Sequence, residues 1–171
     1  MTEYLTEVES IPSTKQMSWF GKRKELVEKY AWAIPNTEVI QRLRDMSPLV
    51  EMGAGSGYWA YEIEKMGGTV HAYDIDPPED TWIDITQGNE EVLHGYTEPL
   101  LLCWPPVNKS MATRAVDAHN GEYVIHVGEM RGCTADDSFF YYMDEHYTLE
   151  EVIDIPSYEH IHDNCFIYKK R

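Results

Sequence analysis

Three alternating glycines directly after a short apolar run constrain this chain more than any other feature. The run is Leu49–Met52, the turn is Gly53–Gly57 with the sequence GAGSG, and a helical pattern begins at Tyr58. Glycine is needed where the backbone turns tightly or lets another group approach without a Cβ in the way. The pattern predicts a strand, a glycine turn and a helix in immediate succession, which indicates an α/β arrangement.

Strand and helix patterns alternate along the rest of the chain. Helices are predicted at Trp19–Ala31 (capped by Ser18), Thr37–Met46, Tyr58–Met66, Met111–Asn120 and Ser138–His146; strands are predicted at Leu49–Met52, Thr69–Tyr73, Trp82–Thr86, Leu100–Cys103, Tyr123–Val127, Thr148–Ile155 and Cys165–Lys170. Repeated βαβ units predict a parallel sheet with helices on both faces. The last two strands are joined by a short loop, so we expect them to be antiparallel neighbours.

The length of 171 residues fits one domain. Residues 1–17 lack sustained periodicity and are predicted to form an arm or loop, which leaves a single domain over 18–171. No apolar run approaches the ~20 residues that span a bilayer, and the N-terminus lacks the basic start and apolar stretch of a secretory signal. We therefore expect a cytoplasmic protein without a membrane partner.

The charge balance disfavours nucleic acid as a partner. Thirty acidic and fourteen basic residues give a net charge of −16, and such a surface repels phosphate backbones and anionic lipids. The exception is a local basic patch on the N-terminal segment, formed by Lys15, Lys22, Arg23, Lys24 and Lys29.

The cysteines and histidines predict neither disulfides nor a metal site. Cys103, Cys133 and Cys165 are odd in number and show no CxxC spacing, so reduced thiols are expected. His160 and His162 would share one face of a strand, but no cysteine or carboxylate at ligand spacing completes a metal site.

An acidic residue follows the glycine turn at the next predicted strand end. Asp74 reaches the same edge of the sheet as the turn, where a carboxylate can accept hydrogen bonds from both hydroxyls of a ribose. A dinucleotide fingerprint requires G-x-G-x-x-G, but Tyr58 stands at its third glycine position, and the chain has no room for a second mononucleotide-binding half. A G-x-x-x-x-G-K phosphate loop is also absent.

The motif E-x-G-x-G-x-G at Glu51–Gly57, with Asp74 seventeen residues after the last glycine, resembles the first two motifs of the class I S-adenosylmethionine-dependent methyltransferases. The resemblance implies a Rossmann-like α/β fold with a mostly parallel seven-stranded sheet that ends in a C-terminal antiparallel hairpin. It also implies S-adenosylmethionine as cofactor and methyl transfer to a small molecule or a protein side chain. The segments YAWAIPN, EMGAGSGYWA, LCWPP and GCTADD are similar to those of a small subgroup of such proteins.

The resemblance implies a set of cofactor contacts. From the glycine turn and the second strand these are Glu51, Gly53, Ala54, Gly55, Gly57, Asp74 and Ile75. Tyr30 and Trp32 precede the first strand and could place a ring near the sulfonium, although Trp32 could instead only pack a helix onto the sheet. Cys103 and Trp104 are expected to line the site. Trp104 stands where many amine methyltransferases carry Asp or Asn, so the side chain that holds an acceptor nitrogen is missing; a purely structural proline turn is the alternative.

Three further side chains are candidates for catalysis. Glu129 lies just beyond the fifth predicted strand and could orient a substrate or accept its proton. Asp136 follows it, although Thr134 and Asp137 also fit a capping box. His162 is the remaining candidate, because histidine titrates near neutral pH, but His162–Asn164 could be only a hairpin turn.

Two other functions stay open beside methyl transfer. One is cleavage of S-adenosylmethionine by lyase or hydrolase chemistry, since the usual amine-holding residue is absent. The other is a non-catalytic binding subunit that uses the fold as an interaction surface.

Overall fold

Five neighbouring parallel strands form one side of the sheet, and two antiparallel strands complete the other side. The structure, a computed structural model, describes residues 1–12 and 19–171. The helices are α1 (Glu3–Glu9), α2 (Trp19–Lys29), α3 (Thr37–Asp45), α4 (Tyr58–Lys65), α5 (Met111–Ala118) and α6 (Asp137–His146), with a 3₁₀ helix at Glu90–Gly95; the strands are β1 (Leu49–Met52), β2 (Val70–Asp74), β3 (Thr86–Gln87), β4 (Leu100–Cys103), β5 (Tyr123–Gly128), β6 (Tyr147–Asp154) and β7 (Asn164–Lys170).

The order of the strands in the sheet is β3-β2-β1-β4-β5-β7-β6. Strands β1 to β5 pair in parallel, whereas β7 is antiparallel to both β5 and β6. The expected fold, a mostly parallel seven-stranded sheet with a C-terminal antiparallel hairpin, is confirmed. β1 lies between β2 and β4. The connection that follows β1 runs toward β2, and the one that precedes β4 returns to the other side of β1. A crevice forms between them at the carboxyl ends of these strands.

Both faces of the sheet are covered by helices. Leu49 and Leu101 point to one side and pack with α3 and α4, for example with Leu43. Their neighbours Val50 and Leu100 point to the other side and pack with α5 and α6. Burial on both faces explains why the central strands are continuous apolar runs. Within the described residues, no helix combines the length and apolar character needed to cross a membrane.

The N-terminal segment differs from the expected loop. Residues Glu3–Glu9 form α1, and the hydroxyl of Thr2 accepts a hydrogen bond from the amide of Leu5 at its start. Tyr4 is fully buried in this helix. A seven-residue helix that buries one side chain gives too short a pattern for periodicity to reveal. The predicted boundary at residue 17 and the Ser18 cap lie outside the described residues.

Two other expectations are corrected. The predicted strand Trp82–Thr86 is a loop up to its last residue, because the Trp82 indole donates to the carbonyl oxygen of Lys29 at 2.8 Å and its ring stacks on Tyr30. The hairpin is closed by the longer segment 155–163 and not by the three residues around Asp163. The other predicted elements agree with the structure within two residues at each end.

Candidate functional site

The glycine turn between β1 and α4 adopts the left-handed backbone that favours glycine. The φ angles of Gly53, Gly55 and Gly57 are 77°, 57° and 77°, a region in which a Cβ causes strain. The amides of Gly53 and Ala54 both donate to the carbonyl oxygen of Tyr73 on β2, at 2.9 Å. These bonds hold the turn against the end of the neighbouring strand.

Gly53, Gly55 and Gly57 have different surroundings, which indicate different roles. A Cβ at Gly53 would lie 2.7 Å from Cε of Met111, and one at Gly57 would lie 3.0 Å from Cγ1 of Ile83. These two glycines therefore permit close packing inside the protein. A Cβ at Gly55 would meet no atom within 4 Å, so Gly55 borders open space in which a ligand can approach the backbone.

Asp74 is fixed beside this open glycine. Its Oδ2 atom accepts a hydrogen bond from the amide of Gly55, and its Oδ1 atom accepts one from the amide of Asp76, both at 2.9 Å. A carboxylate oxygen can accept more than one hydrogen bond, so each oxygen retains capacity for a ligand hydroxyl. The arrangement holds a carboxylate in one orientation at the edge of the sheet.

Two adjoining cavities open above the turn. The Asp74-side cavity has an empty volume of about 900 Å³, and the Glu51-side cavity has one of about 580 Å³. Both volumes include space that is open to solvent. The cavities share four lining residues, which are Trp32, Gly53, Gly55 and Cys103.

The structure brings together ten of the eleven residues expected to contact a cofactor. These ten line the two cavities: Tyr30, Trp32, Glu51, Gly53, Ala54, Gly55, Asp74, Ile75, Cys103 and Trp104. Gly57 is the exception, because it faces the isoleucine side chains beneath the turn. Segments separated by more than 70 residues thus meet in one crevice.

Glu51 is a buried carboxyl group at the floor of its cavity. Its side chain is 1% exposed, and Oε2 has no hydrogen-bond partner among the described residues. Burial raises the pKa of Glu51 to about 8, with a smaller contribution from the negative charge of Asp74. At neutral pH the group is mostly protonated, and a cation bound in the cavity would favour its ionised form.

An aromatic wall forms the side of the cavities opposite Asp74. Trp32 and Trp104 stack with their ring centroids 5.0 Å apart and their planes 11° from parallel. The backbone of Trp104 has a φ of 52°, and its amide donates to the carbonyl oxygen of Val127 at 2.8 Å. The indole N–H of Trp104 donates to Oδ1 of Asp163 at 3.0 Å. The backbone and the indole ring of Trp104 are therefore each fixed by a hydrogen bond.

Sequence analysis missed Asp163, which is 3% exposed in the segment before β7. Burial raises its pKa to about 6, although the hydrogen bond from Trp104 lowers it in part. Asp163 lies 59 residues from Trp104, and nothing in the local sequence distinguishes it from a turn residue. Only the pairing of β7 with β5 brings it to the crevice.

Tyr30 connects the N-terminal helix to the Glu51-side cavity. Its hydroxyl donates to Oε2 of Glu7 at 2.7 Å, and its ring stacks on Tyr4 at 4.6 Å. The carbonyl oxygen of Tyr30 accepts a hydrogen bond from the hydroxyl of Ser56 in the glycine turn. Helix α1 therefore supports one wall of the cavity from outside.

Glu129 and His162, two of the residues expected in catalysis, lie together. Oε1 of Glu129 is 3.6 Å from Nδ1 of His162 and accepts the amide of His162 at 2.8 Å, while Oε2 accepts the amide of Cys133 at 2.8 Å. Burial opposes ionisation of Glu129, but these amide donors outweigh it and lower the pKa. Both residues line a separate cavity that shares no lining residue with the two described above. Their catalytic role stays a prediction.

Asp136, the third expected catalytic residue, lies elsewhere. Its carboxylate accepts a hydrogen bond from the hydroxyl of Thr113 on α5, and it lines neither cavity in the part of the chain that the structure describes. The capping-box interpretation of Thr134 is wrong, because its hydroxyl contacts the backbone of Glu129 and not the start of α6. His160 and His162 do not share a face of a strand, because both lie in the loop before β7.

Comparisons with known proteins support the fold. No family model matches the sequence, and no curated protein matches it significantly. The structure is similar to magnesium protoporphyrin IX methyltransferase from Synechocystis PCC 6803 with bound S-adenosylmethionine, at a TM-score of 0.60 and 8% identity over 100% of this chain and 98% of that one.

Two further solved structures have the same fold. The 1,6-didemethyltoxoflavin-N1-methyltransferase of Burkholderia thailandensis, with bound S-adenosylhomocysteine, has a TM-score of 0.57 and 14% identity over 99% of this chain and 91% of that one. The tRNA (uracil-54, C5)-methyltransferase of Pyrococcus abyssi has a TM-score of 0.51 and 11% identity over 77% of this chain and 37% of that one. These proteins share a fold with this chain and act on different acceptors.

Proposed function

We propose that this protein binds S-adenosylmethionine and transfers its methyl group to a small molecule. The observation that carries the proposal is the juxtaposition of Gly55, whose backbone borders open space, with Asp74, whose carboxylate is fixed 2.9 Å from the Gly55 amide. The fold of structural neighbours that carry this cofactor or its product supports the same assignment.

The cavities fit the parts of the cofactor. The oxygens of Asp74 have capacity for ribose hydroxyls, and the open face of Gly55 leaves room for the sugar. The unpartnered Oε2 of Glu51 suits a cationic ammonium group, whose charge would offset the cost of ionising a buried carboxyl.

S-adenosylmethionine supplies an electrophilic methyl group: the acceptor's bond to the methyl carbon forms as the carbon–sulfur bond breaks, the electron pair stays on sulfur, and the acceptor's proton passes to water. The chain's own residues position the reactants. Trp32 and Trp104 line the Asp74-side cavity, and Cys103 lines both cavities. Burial raises the pKa of the Cys103 thiol well above its usual range, so it stays neutral and does not compete as a nucleophile. Orientation in a dry site supplies several kcal/mol of such a barrier.

The charge of the chain favours a small acceptor. A net charge of −16 opposes the approach of a polyanion such as RNA, although the fold also occurs in a tRNA methyltransferase. Cleavage of S-adenosylmethionine is the second candidate, because the Trp104 indole N–H is already bound to Asp163 and offers nothing to an acceptor nitrogen.

Calorimetric titration and thermal denaturation with S-adenosylmethionine and S-adenosylhomocysteine test the cofactor. At 100 times the dissociation constant, either ligand should stabilise the fold by about 2.7 kcal/mol, which corresponds to roughly 5–10 °C for a chain of this length. Product analysis separates the reactions, because methyl transfer yields S-adenosylhomocysteine whereas cleavage yields methylthioadenosine or homoserine-type fragments. An unchanged melting temperature with both ligands would contradict the proposal and favour a non-catalytic subunit.

A further inference from the structure

A third cavity adjoins the Glu51-side cavity on the outer side of Trp32. We call it the Arg23 cavity; it has an empty volume of about 710 Å³ and is lined by Arg23, Lys24, Val27, Glu28 and Trp32. Val27, Glu28 and Trp32 also line the Glu51-side cavity. The two spaces are therefore neighbours along one side of helix α2, and the proposed cofactor contacts leave the outer one without a role.

The wall of this cavity is an exposed aromatic ring on a fixed support. Trp32 is 51% exposed, which is high for a residue that normally buries most of its surface. Trp104 covers part of the ring by stacking, and Trp104 is itself held by Asp163 and by the backbone of Val127. A flat side chain that is already immobilised loses little conformational entropy when a planar ligand stacks on it.

The charge at the rim of the cavity comes from Arg23. Lys24 and Glu28 form a surface ion pair at 3.8 Å, so their charges largely cancel. The guanidinium of Arg23 lies 5.9 Å from the centroid of Trp32 and 5.0 Å from that of Tyr158. Across residues 1–12 and 19–171, no carboxylate lies within 4.0 Å of it. A guanidinium in this position binds a carboxylate well, because its N–H groups match the two oxygens.

We propose that the Arg23 cavity binds the methyl acceptor and that the acceptor is a planar aromatic carboxylate, with its ring on Trp32 and its carboxylate at Arg23. This inference rests on the proposed function, since it names the acceptor for the same crevice. It also accounts for the tryptophan at position 104, where an amide or a carboxylate would otherwise hold an acceptor nitrogen. The acceptor is recognised instead by stacking on Trp32 and by the charge of Arg23.

Binding of simple probes to the protein saturated with S-adenosylhomocysteine tests the inference by calorimetry. The probes are 2-naphthoate, the uncharged 2-naphthamide of the same shape, and cyclohexanecarboxylate, which has the charge without the aromatic ring. We expect 2-naphthoate to bind at least tenfold more tightly than either of the others, and we expect its affinity to fall as salt is raised.

Variants assign the two contacts. Arg23→Gln should remove the preference for 2-naphthoate over 2-naphthamide, and Trp32→Leu should weaken both naphthyl probes at least tenfold. Arg44→Gln, which removes a half-buried arginine on α3 that pairs with Asp45, is the control and should change neither. Melting temperature reports whether each variant is folded, and affinity for S-adenosylhomocysteine adds a second report for Arg23→Gln and Arg44→Gln, because Trp32 itself lines the cofactor cavities.

Equal binding of 2-naphthoate and 2-naphthamide, no binding of either, or an unchanged preference in the Arg23→Gln variant would overturn the inference while leaving the cofactor proposal intact. Failure of S-adenosylhomocysteine to bind would contradict the cofactor proposal instead. In that case the probes are titrated into the free protein, where the same preference supports the Arg23 cavity as an aromatic carboxylate site and its absence rejects it.

Discussion

The two sides of the crevice are built from different parts of the polypeptide. On the proposed cofactor side, backbone amides at Gly53–Gly57 and one carboxylate, Asp74, lie within a single stretch of chain. On the proposed acceptor side, the surfaces are the side chains of Arg23, Trp32 and Trp104, and Asp163 holds the Trp104 indole. Backbone recognition tolerates little change at a few glycines, whereas side-chain recognition can be altered one residue at a time. Under the two proposals, we therefore expect cofactor binding and acceptor choice to respond to different substitutions.

Filling the open face of the glycine turn should have the largest effect. Gly55→Leu places a side chain where the Asp74-side cavity begins, at a φ of 57°, and we expect affinity for S-adenosylmethionine to fall at least 100-fold. Gly67→Leu is the matched control, because Gly67 also has a positive φ and open surroundings but lies after α4, away from the cavities. Both variants should lose about 1–2 kcal/mol of stability through backbone strain. Equal affinities in the two variants, measured by calorimetry, would contradict a ligand at Gly55.

Neutralising the carboxylate at the strand end should have a smaller effect. Asp74→Asn keeps the shape of the side chain but removes charge-assisted hydrogen bonds, which are worth about 1.5–3 kcal/mol when the acceptor is ionised. We expect affinity for S-adenosylmethionine to fall by about tenfold or more. The neighbouring Asp76→Asn, whose side chain is exposed, is the control and should bind normally. If the two variants bind equally well, the ribose does not contact Asp74.

Changing Asp163 should leave the cofactor side unaffected. Because burial raises its pKa from the ordinary 3.8 to about 6, the folded state binds more protons than the unfolded state between these values, and the stability of the protein falls as pH rises through this window. Asp163→Asn keeps an oxygen for the Trp104 indole and removes the cost of a buried charge.

The variant should therefore be more stable than the original chain by about 3 kcal/mol at pH 7.5, with no difference near pH 3.5. Urea denaturation at both pH values measures the change, and Asp154→Asn, on the exposed side of β6, should show none. Affinity for S-adenosylmethionine should change less than twofold. A larger loss would show that the two sides of the crevice are coupled.

The same contrast explains how far the sequence predicts the structure. The central strands were predictable because each is an apolar run buried on both faces, and the cofactor side was predictable because its glycines and Asp74 are close in sequence. The contacts of Arg23 and Asp163 were not predictable, because they depend on how α2 packs against the sheet and on where β7 pairs within it. Helix α1 was not predicted because it is only seven residues long and because its contacts are long-range, such as that of the Tyr4 hydroxyl with the Tyr158 hydroxyl, which spans 154 residues.

The place of β7 in the sheet also matters for synthesis of the chain. β7 is synthesised after β5 and β6, yet it lies between them in the sheet and pairs with both. Until it emerges, the nascent chain has two unpaired strand edges, which are sites where proteins aggregate. Translation that stops before residue 164 would yield a product that not only lacks a strand but also leaves β5 exposed.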